Sequence, residues 1–239
     1  MEERRFLFVQ NVKRITTGRF CLLVFAAVFG FLLARPARVS AQALPNAWVS
    51  DGAVNTVVHT SDRIFLGGSF TYLTPFVGNA AKVNNTVGSS TGVFPLVYGQ
   101  TTVIISDGSG GWYLGGNFTQ VGSYARLRLA HVFSDGSVDP NFNPTSSGII
   151  STMVLSGSTL YVGGTFSTVN GQTRNNLAAI DTTTGLATSW NPNLNGSVVS
   201  MVVATSSVFV GGSFTTVGGI TRNRIAEIDS STGIATSWN

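Results

Sequence analysis

Between Gly148 and Trp190 the apolar residues fall in short runs with a period of two, broken by Gly, Ser, Thr and Asn. Ile150, Thr152 and Val154 alternate with Ser151, Met153 and Leu155, and Ser156-Gly157-Ser158 turns the chain. A second run covers Leu160 to Phe166, a third Leu177 to Asp181 and a fourth Leu186 to Trp190, before Asn191-Pro192 breaks pairing. Period two in runs of this length predicts half-buried strands. Thr182 to Gly185 reads as a tight turn with Gly at the position that needs positive φ. No window sustains the three-to-four spacing of an amphipathic helix.

The same pattern returns along the chain. LGGSF at Leu66 to Phe70, LGGNF at Leu114 to Phe118, VGGTF at Val162 to Phe166 and VGGSF at Val210 to Phe214 stand 48 residues apart. Phe94, Phe142, Trp190 and Trp238 keep that register, as do Arg126, Arg174 and Arg222. Four short antiparallel strands per copy at a constant period predict an all-β fold, a β-propeller of four-stranded antiparallel blades with a 48-residue repeat. Residues 44–239 form the propeller region, with blades near 49–94, 95–142, 143–190 and 191–238. Leu44 to Trp48 aligns with Leu186 to Trp190 and Ile234 to Trp238, an orphan last strand, so the expected propeller is incomplete, with four blades present.

The pairs Gly67-Gly68, Gly115-Gly116, Gly163-Gly164 and Gly211-Gly212 lie within strands, where glycine weakens a sheet unless another backbone or side chain approaches closely. The aromatic two residues on, Phe70, Phe118, Phe166 or Phe214, is read as a wedge between blades. A phosphate cradle would need a following helix and a lysine. Neither is present.

LYVGGTFSTVNGQTRNNLAAID and DGSVDPNFNP resemble the secreted bacterial propeller repeats called delta-sixty repeats, and more loosely the propellers of fungal cortical polarity-marker proteins. The likeness runs from Trp48 to Asn239 and departs most at Tyr72-Leu73-Thr74-Pro75, where later copies read STVNG or TTVGG. It implies large exported or surface proteins and is nearly silent about activity.

Charge alters this picture only at the N-terminus. The net charge is +4, but residues 1–43 carry seven Lys or Arg against two Glu, and the remainder carries seven against eight acids. No basic stripe marks a nucleic-acid surface, and nucleic acid is not an expected partner. A basic stretch, the apolar block Phe20 to Ala34 and the small residues of VSAQA have the order of a secretory signal, cleaved after Ala41 or Ala43. Residues 1–43 are therefore read as a signal peptide, leaving no membrane span. The single cysteine, Cys21, lies inside it, so the mature chain has neither disulfides nor thiolate metal sites.

A residue present in every copy serves architecture first, so a ligand site is sought among unrepeated residues. His59 falls where other copies have Asp107, Leu155 and Val203, and His131 falls where they have Ala179 and Glu227. His59, His131 and Glu227 are the candidate ligand positions. Two histidines without a third ligand make no zinc site. Three of the mature acids, Asp51, Asp107 and Asp135, precede glycine in turns, and Asp181 and Asp229 open recurring D-x-x-T-G turns, leaving few carboxylates for glycoside cleavage. The expectation is a secreted or cell-surface binding module for a protein or glycan, with no catalytic residues, cofactor or metal. A polysaccharide hydrolase or lyase and a spacer within a larger surface protein are the rival readings, and further propeller blades or self-association are expected partners of the open arc.

Overall fold

The computed structural model describes residues 52–59, 63–69, 80–84 and 94–238, and all regular structure among them is β. The leader, Trp48, Asp62 and Phe70 lie outside the described residues, as does the side chain of His59. The strands form one antiparallel sheet per repeat, with two small hairpins beside them.

In the first sheet β1 (Val54–His59) pairs with β2 (Arg63–Gly68), which pairs with β3 (Ala80–Asn84). The second holds β4 (Val97–Ser106) and β5 (Trp112–Val121), the latter extended by β6 (Tyr124–Ala125) and paired with β7 (Leu129–Val132). The third is built from β8 (Ile149–Ser156) and β9 (Thr159–Thr165); β10 (Thr168–Val169) and β11 (Gln172–Thr173) make a separate hairpin, and β12 (Leu177–Asp181) completes the sheet on β9. The fourth repeats this with β13 (Val198–Ala204), β14 (Ser207–Gly212), the hairpin β15 (Thr216–Val217) and β16 (Ile220–Thr221), and β17 (Ile225–Asp229).

Asn170 and Gly171, both at positive φ, turn the chain between β10 and β11. One element differs from the sequence reading. The fourth strand shrinks to one bridge in each later sheet: Val132 with Val138, Ile180 with Ala187, Ile228 with Ala235. Side chains take the groups that a longer ladder would use. Arg174 donates to the Thr188 carbonyl, and the Trp190 amide donates to the Thr188 hydroxyl at 3.3 Å. Arg222 and Trp238 repeat both contacts on Thr236.

Each glycine pair marks a fixed bulge. Ile150 and Thr152 face Gly164 and Gly163 with Ser151 squeezed out, and Val54/Thr56, Thr101/Val103 and Val198/Ser200 do the same against their own pairs. A Cβ on Gly116, Gly164 or Gly212 would overlap the carbonyl oxygen of Gln100, Ile149 or Ser197 on the bulged strand. The first glycine of the pair faces outward. A Cβ on Gly67 would stand 2.9 Å from Ile104, one on Gly115 2.8 Å from Ile150, and one on Gly163 2.8 Å from Val198, each in the following sheet. Side chain-free backbone at these points is what lets one sheet lie against the next.

The core accordingly lies between sheets. One cluster joins Phe65 to Trp112, Leu114 and Phe118; the next joins Tyr113, Leu129 and Phe142 to Ile150, Met153 and Phe166; the last joins Tyr161, Leu177 and Trp190 to Val198, Val210 and Phe214. Phe118, Phe166 and Phe214 are buried and pack in the cluster facing the preceding sheet. The ring that ends each of the later three repeats closes edge-on against an aromatic of its own middle strand: Phe142 on Tyr113 at 5.1 Å, Trp190 on Tyr161 at 5.1 Å, Trp238 on Phe209 at 5.7 Å.

Candidate functional site

Of the three candidate positions, the structure gives His131 the most developed environment. It sits on β7 opposite Tyr113 of β5 and is 7% exposed. The imidazole stacks on the Tyr113 ring at 4.5 Å and meets Phe133 and Phe142 edge-on. Its Nδ1 lies 2.9 Å from Asp139 and its Nε2 3.1 Å from Asp107.

Both carboxylates are placed by turns. Asp107 begins the loop between β4 and β5, where its Oδ1 accepts the amides of Ser109 and Gly111 at 2.7 and 2.8 Å and its Oδ2 faces His131. Asp139 follows the Val132–Val138 bridge; its Oδ1 accepts the amides of Asn141 and Phe142 at 2.9 and 3.3 Å. Burial alone would raise the Asp139 carboxyl, but the hydrogen bond to His131 and the two backbone donors outweigh it and hold the group below its ordinary value. Burial pushes the Tyr113 hydroxyl up.

A neutral imidazole offers one N–H, so it can donate to only one of these acids, whereas the protonated ring donates to both. With both nitrogens engaged, neither is free to act as a general base toward a third group. The carboxylates lie on opposite ring nitrogens and do not converge on a point, and no group of three metal-ligating side chains suited to an ion occurs among the described residues. The arrangement is a clasp between two turns of one sheet.

Glu227 does not join it. Glu227 lies on β17, two sheets away, and its carboxylate accepts the hydroxyls of Ser207 at 2.6 Å and Thr236 at 2.7 Å. These bonds hold it below its usual range. His59 ends β1 opposite Ile64. Its counterpart in the second sheet is Ser106, opposite Trp112, and not the aligned Asp107, because the loop 107–111 displaces the β4 register by one residue.

Asp107 and Asp139 are the hydrogen-bond partners of His131 that the residue pattern missed. Asp139 falls where later repeats have Ala187 and Ala235, so it too is unrepeated. Comparing that column would have found the Asp139 half of the clasp. The recurring arginines are structural: Arg126 donates to the carbonyls of Ala125 and Asp139, both at 2.8 Å, and Arg174 and Arg222 bridge the equivalent edges to Thr188 and Thr236.

A second feature lies at the edge of the third sheet. A groove of about 330 Å³ is lined by Asn170, Gln172 and Arg174 on one side and Leu186 to Ser189 on the other. Gln172 and Leu186 are exposed. The Asn170 amide oxygen is buried without a hydrogen-bond donor.

No helix among the described residues is long and apolar enough to cross a membrane. A search of curated proteins found no match to the chain. Residues 107–142, 159–181 and 207–231 match the family model described as a domain of unknown function (DUF5122) beta-propeller. These stretches fall on the second, third and fourth sheets, and the antiparallel all-β architecture agrees with that description. The chain has a β-propeller fold and is similar over these stretches to a β-propeller repeat family of unknown function.

Proposed function

We propose that the chain is an exported, non-enzymatic propeller module whose blade edges bind a protein or glycan at the cell surface. The observation that carries the reading is the groove beside Arg174, where the exposed Gln172 amide lies with the exposed Leu186 side chain. Sugars present this mixture of hydroxyls and apolar ring faces, and such sites combine a few directed polar groups with an apolar floor. The engagement of Asp107, Asp139 and Glu227 within the sheets supports a binding role over a two-carboxylate hydrolase. The leader and the resemblance to delta-sixty repeats support export.

The test is binding of the processed protein to arrayed polysaccharides and candidate surface proteins, with Gln172→Ala and Leu186→Asp as groove variants. The expected outcome is a partner whose affinity falls about tenfold or more in either variant with the fold unchanged. Turnover of a polysaccharide that disappears in Glu227→Gln would overturn the reading. N-terminal sequencing is expected to begin at Gln42 or Leu44.

A further inference from the structure

The charged residues of the second, third and fourth sheets are sorted to opposite ends. Residues 44–239 carry seven basic against eight acidic residues, so net charge hides the sorting. Each third strand starts opposite the first glycine of its pair: Leu129 faces Gly115, Leu177 faces Gly163 and Ile225 faces Gly211. Arg128 and Arg224 immediately precede that start, both at positive φ, and Arg126, Arg174 and Arg222 stand three residues before it. Asp107, Asp135, Asp181 and Asp229 lie at the other end, in the loop after β4 or where a third strand turns back. Of the basic residues of the first sheet, Arg63 starts β2 at the turn end and Lys82 lies within β3. Bonds from one repeat to the next hold the arginine ends side by side. Arg128 donates to the Ser146 carbonyl at 2.6 Å, and Asn176, at its position in the third sheet, donates to the Leu194 carbonyl at 2.9 Å.

None of these five arginines has an acidic partner. The ion pairs among the described residues are those of His131, and Asp139 meets Arg126 through its carbonyl while its carboxylate faces the imidazole. A guanidinium has five N–H donors. Arg174 and Arg222 each give one from Nη1 and one from Nη2 to carbonyl oxygens. Arg224 is exposed and makes no side-chain hydrogen bond among the described residues. Carbonyls satisfy N–H groups without cancelling the charge, so this end stays positive. The groove of about 330 Å³ has Arg174 in its wall.

We infer that the arginine end binds an acidic polysaccharide, whose carboxylate or sulfate groups meet the arginines while a sugar ring occupies the groove. This rests on the reading of the groove as a glycan site and names the class of glycan. Charge complementarity selects it. One arginine recurs at the same position of each of these three sheets, and a polymer with an anion on successive sugars can engage several of them at once, so weak contacts accumulate. No aromatic lines the groove, as base stacking in a bound polynucleotide would require, whereas an aliphatic floor suits the apolar face of a pyranose.

The test is binding of the full chain, as the cell processes it, to polygalacturonate and to a sulfated galactan, each beside its uncharged form, methyl-esterified or desulfated. At least one acidic polymer is expected to bind about tenfold or more tightly than its uncharged form and to be released as salt rises from about 0.05 to about 0.5 M. Arg224→Asn installs the residue that the third sheet has at this position, and is expected to weaken binding about threefold or more with the melting temperature unchanged. Asp181→Asn, at the turn end, makes the chain more positive and is expected to leave affinity unchanged within about twofold. Equal binding of charged and uncharged polymers overturns the inference, and the groove reading survives if Gln172→Ala weakens both. An acidic polymer held as tightly by Arg224→Asn, or a single-stranded polynucleotide held as tightly as the polysaccharide, also overturns it. Binding of none of these polymers overturns it too, and the proposed function then rests on the surface-protein partners alone.

Discussion

His131 shows how one unrepeated side chain alters a repeated frame. At the same position on β12 and β17 stand Ala179 and Glu227, so the second sheet alone ties its β4–β5 loop to its outer edge through an imidazole. Replacing His131 with alanine removes the ring that both Asp107 and Asp139 face in a nearly buried site. The expected loss is about 1–3 kcal/mol, read as a lower melting temperature. The same substitution of an exposed turn residue such as Ser206 should cost much less. Acid exposes a second residue-scale effect. The hydrogen bonds of Ser231 and Thr232 lower the Asp229 carboxyl from 3.8 to about 2, and Asp181 and Asp139 are also lowered. A depressed carboxyl contributes stability above its unfolded value and loses it as pH falls through the folded one. Stability should therefore hold at neutral pH and fall as the pH drops from about 4 toward 2. Asp229→Asn should flatten that fall in an acid titration followed by circular dichroism.

The bulged hairpin with its glycine pair is the element on which the fold depends. Strand positions, the Asp-led turns and the Gly-Gly columns were legible because each is a local rule: alternation for strands, positive φ at Gly185 and Gly233 for turns, and steric openness for the pair. The reduction of the fourth strand was not legible. It follows from Arg174 and Arg222 taking carbonyls across the edge, a contact between residues 14 apart that alternation does not encode. The element predicts sharply different outcomes for neighbouring glycines. Gly164→Ala drives a methyl into the Ile149 carbonyl and should destabilise by about 3 kcal/mol or prevent folding. Gly163→Ala pushes on the stiff β-branched side chains of Val198 and Thr152 and should cost about 1–3 kcal/mol. Chemical denaturation of the two variants against wild type orders them.

Among the described residues, stability comes from interfaces between sheets, since the aromatics that end the first three repeats, Phe94, Phe142 and Trp190, are buried. Trp190→Ala removes a ring buried against Val198 and Val210, together with the indole N–H bond to the Asp229 carbonyl at 3.0 Å. It should destabilise by about 3–5 kcal/mol. Trp238→Ala, in the same column but 43% exposed, should cost markedly less. Equal costs in thermal melts would show that the two columns are buried alike.

The sequence by itself determined the all-β class, the period and the hairpin positions, because these arise from side-chain alternation and turn chemistry within a few residues. It also marked the glycine pairs as places of close approach. Only the tertiary structure decided what approaches them: the bulged strand of the same sheet at the second glycine and the next sheet at the first. It likewise joined Asp107 and Asp139 to His131 across 24 and 8 residues, and separated Glu227 from that clasp. The reason is geometric. Repetition makes equivalent positions look alike in the chain, while burial and partnership depend on whether another sheet lies against the face, and that is a property of packing.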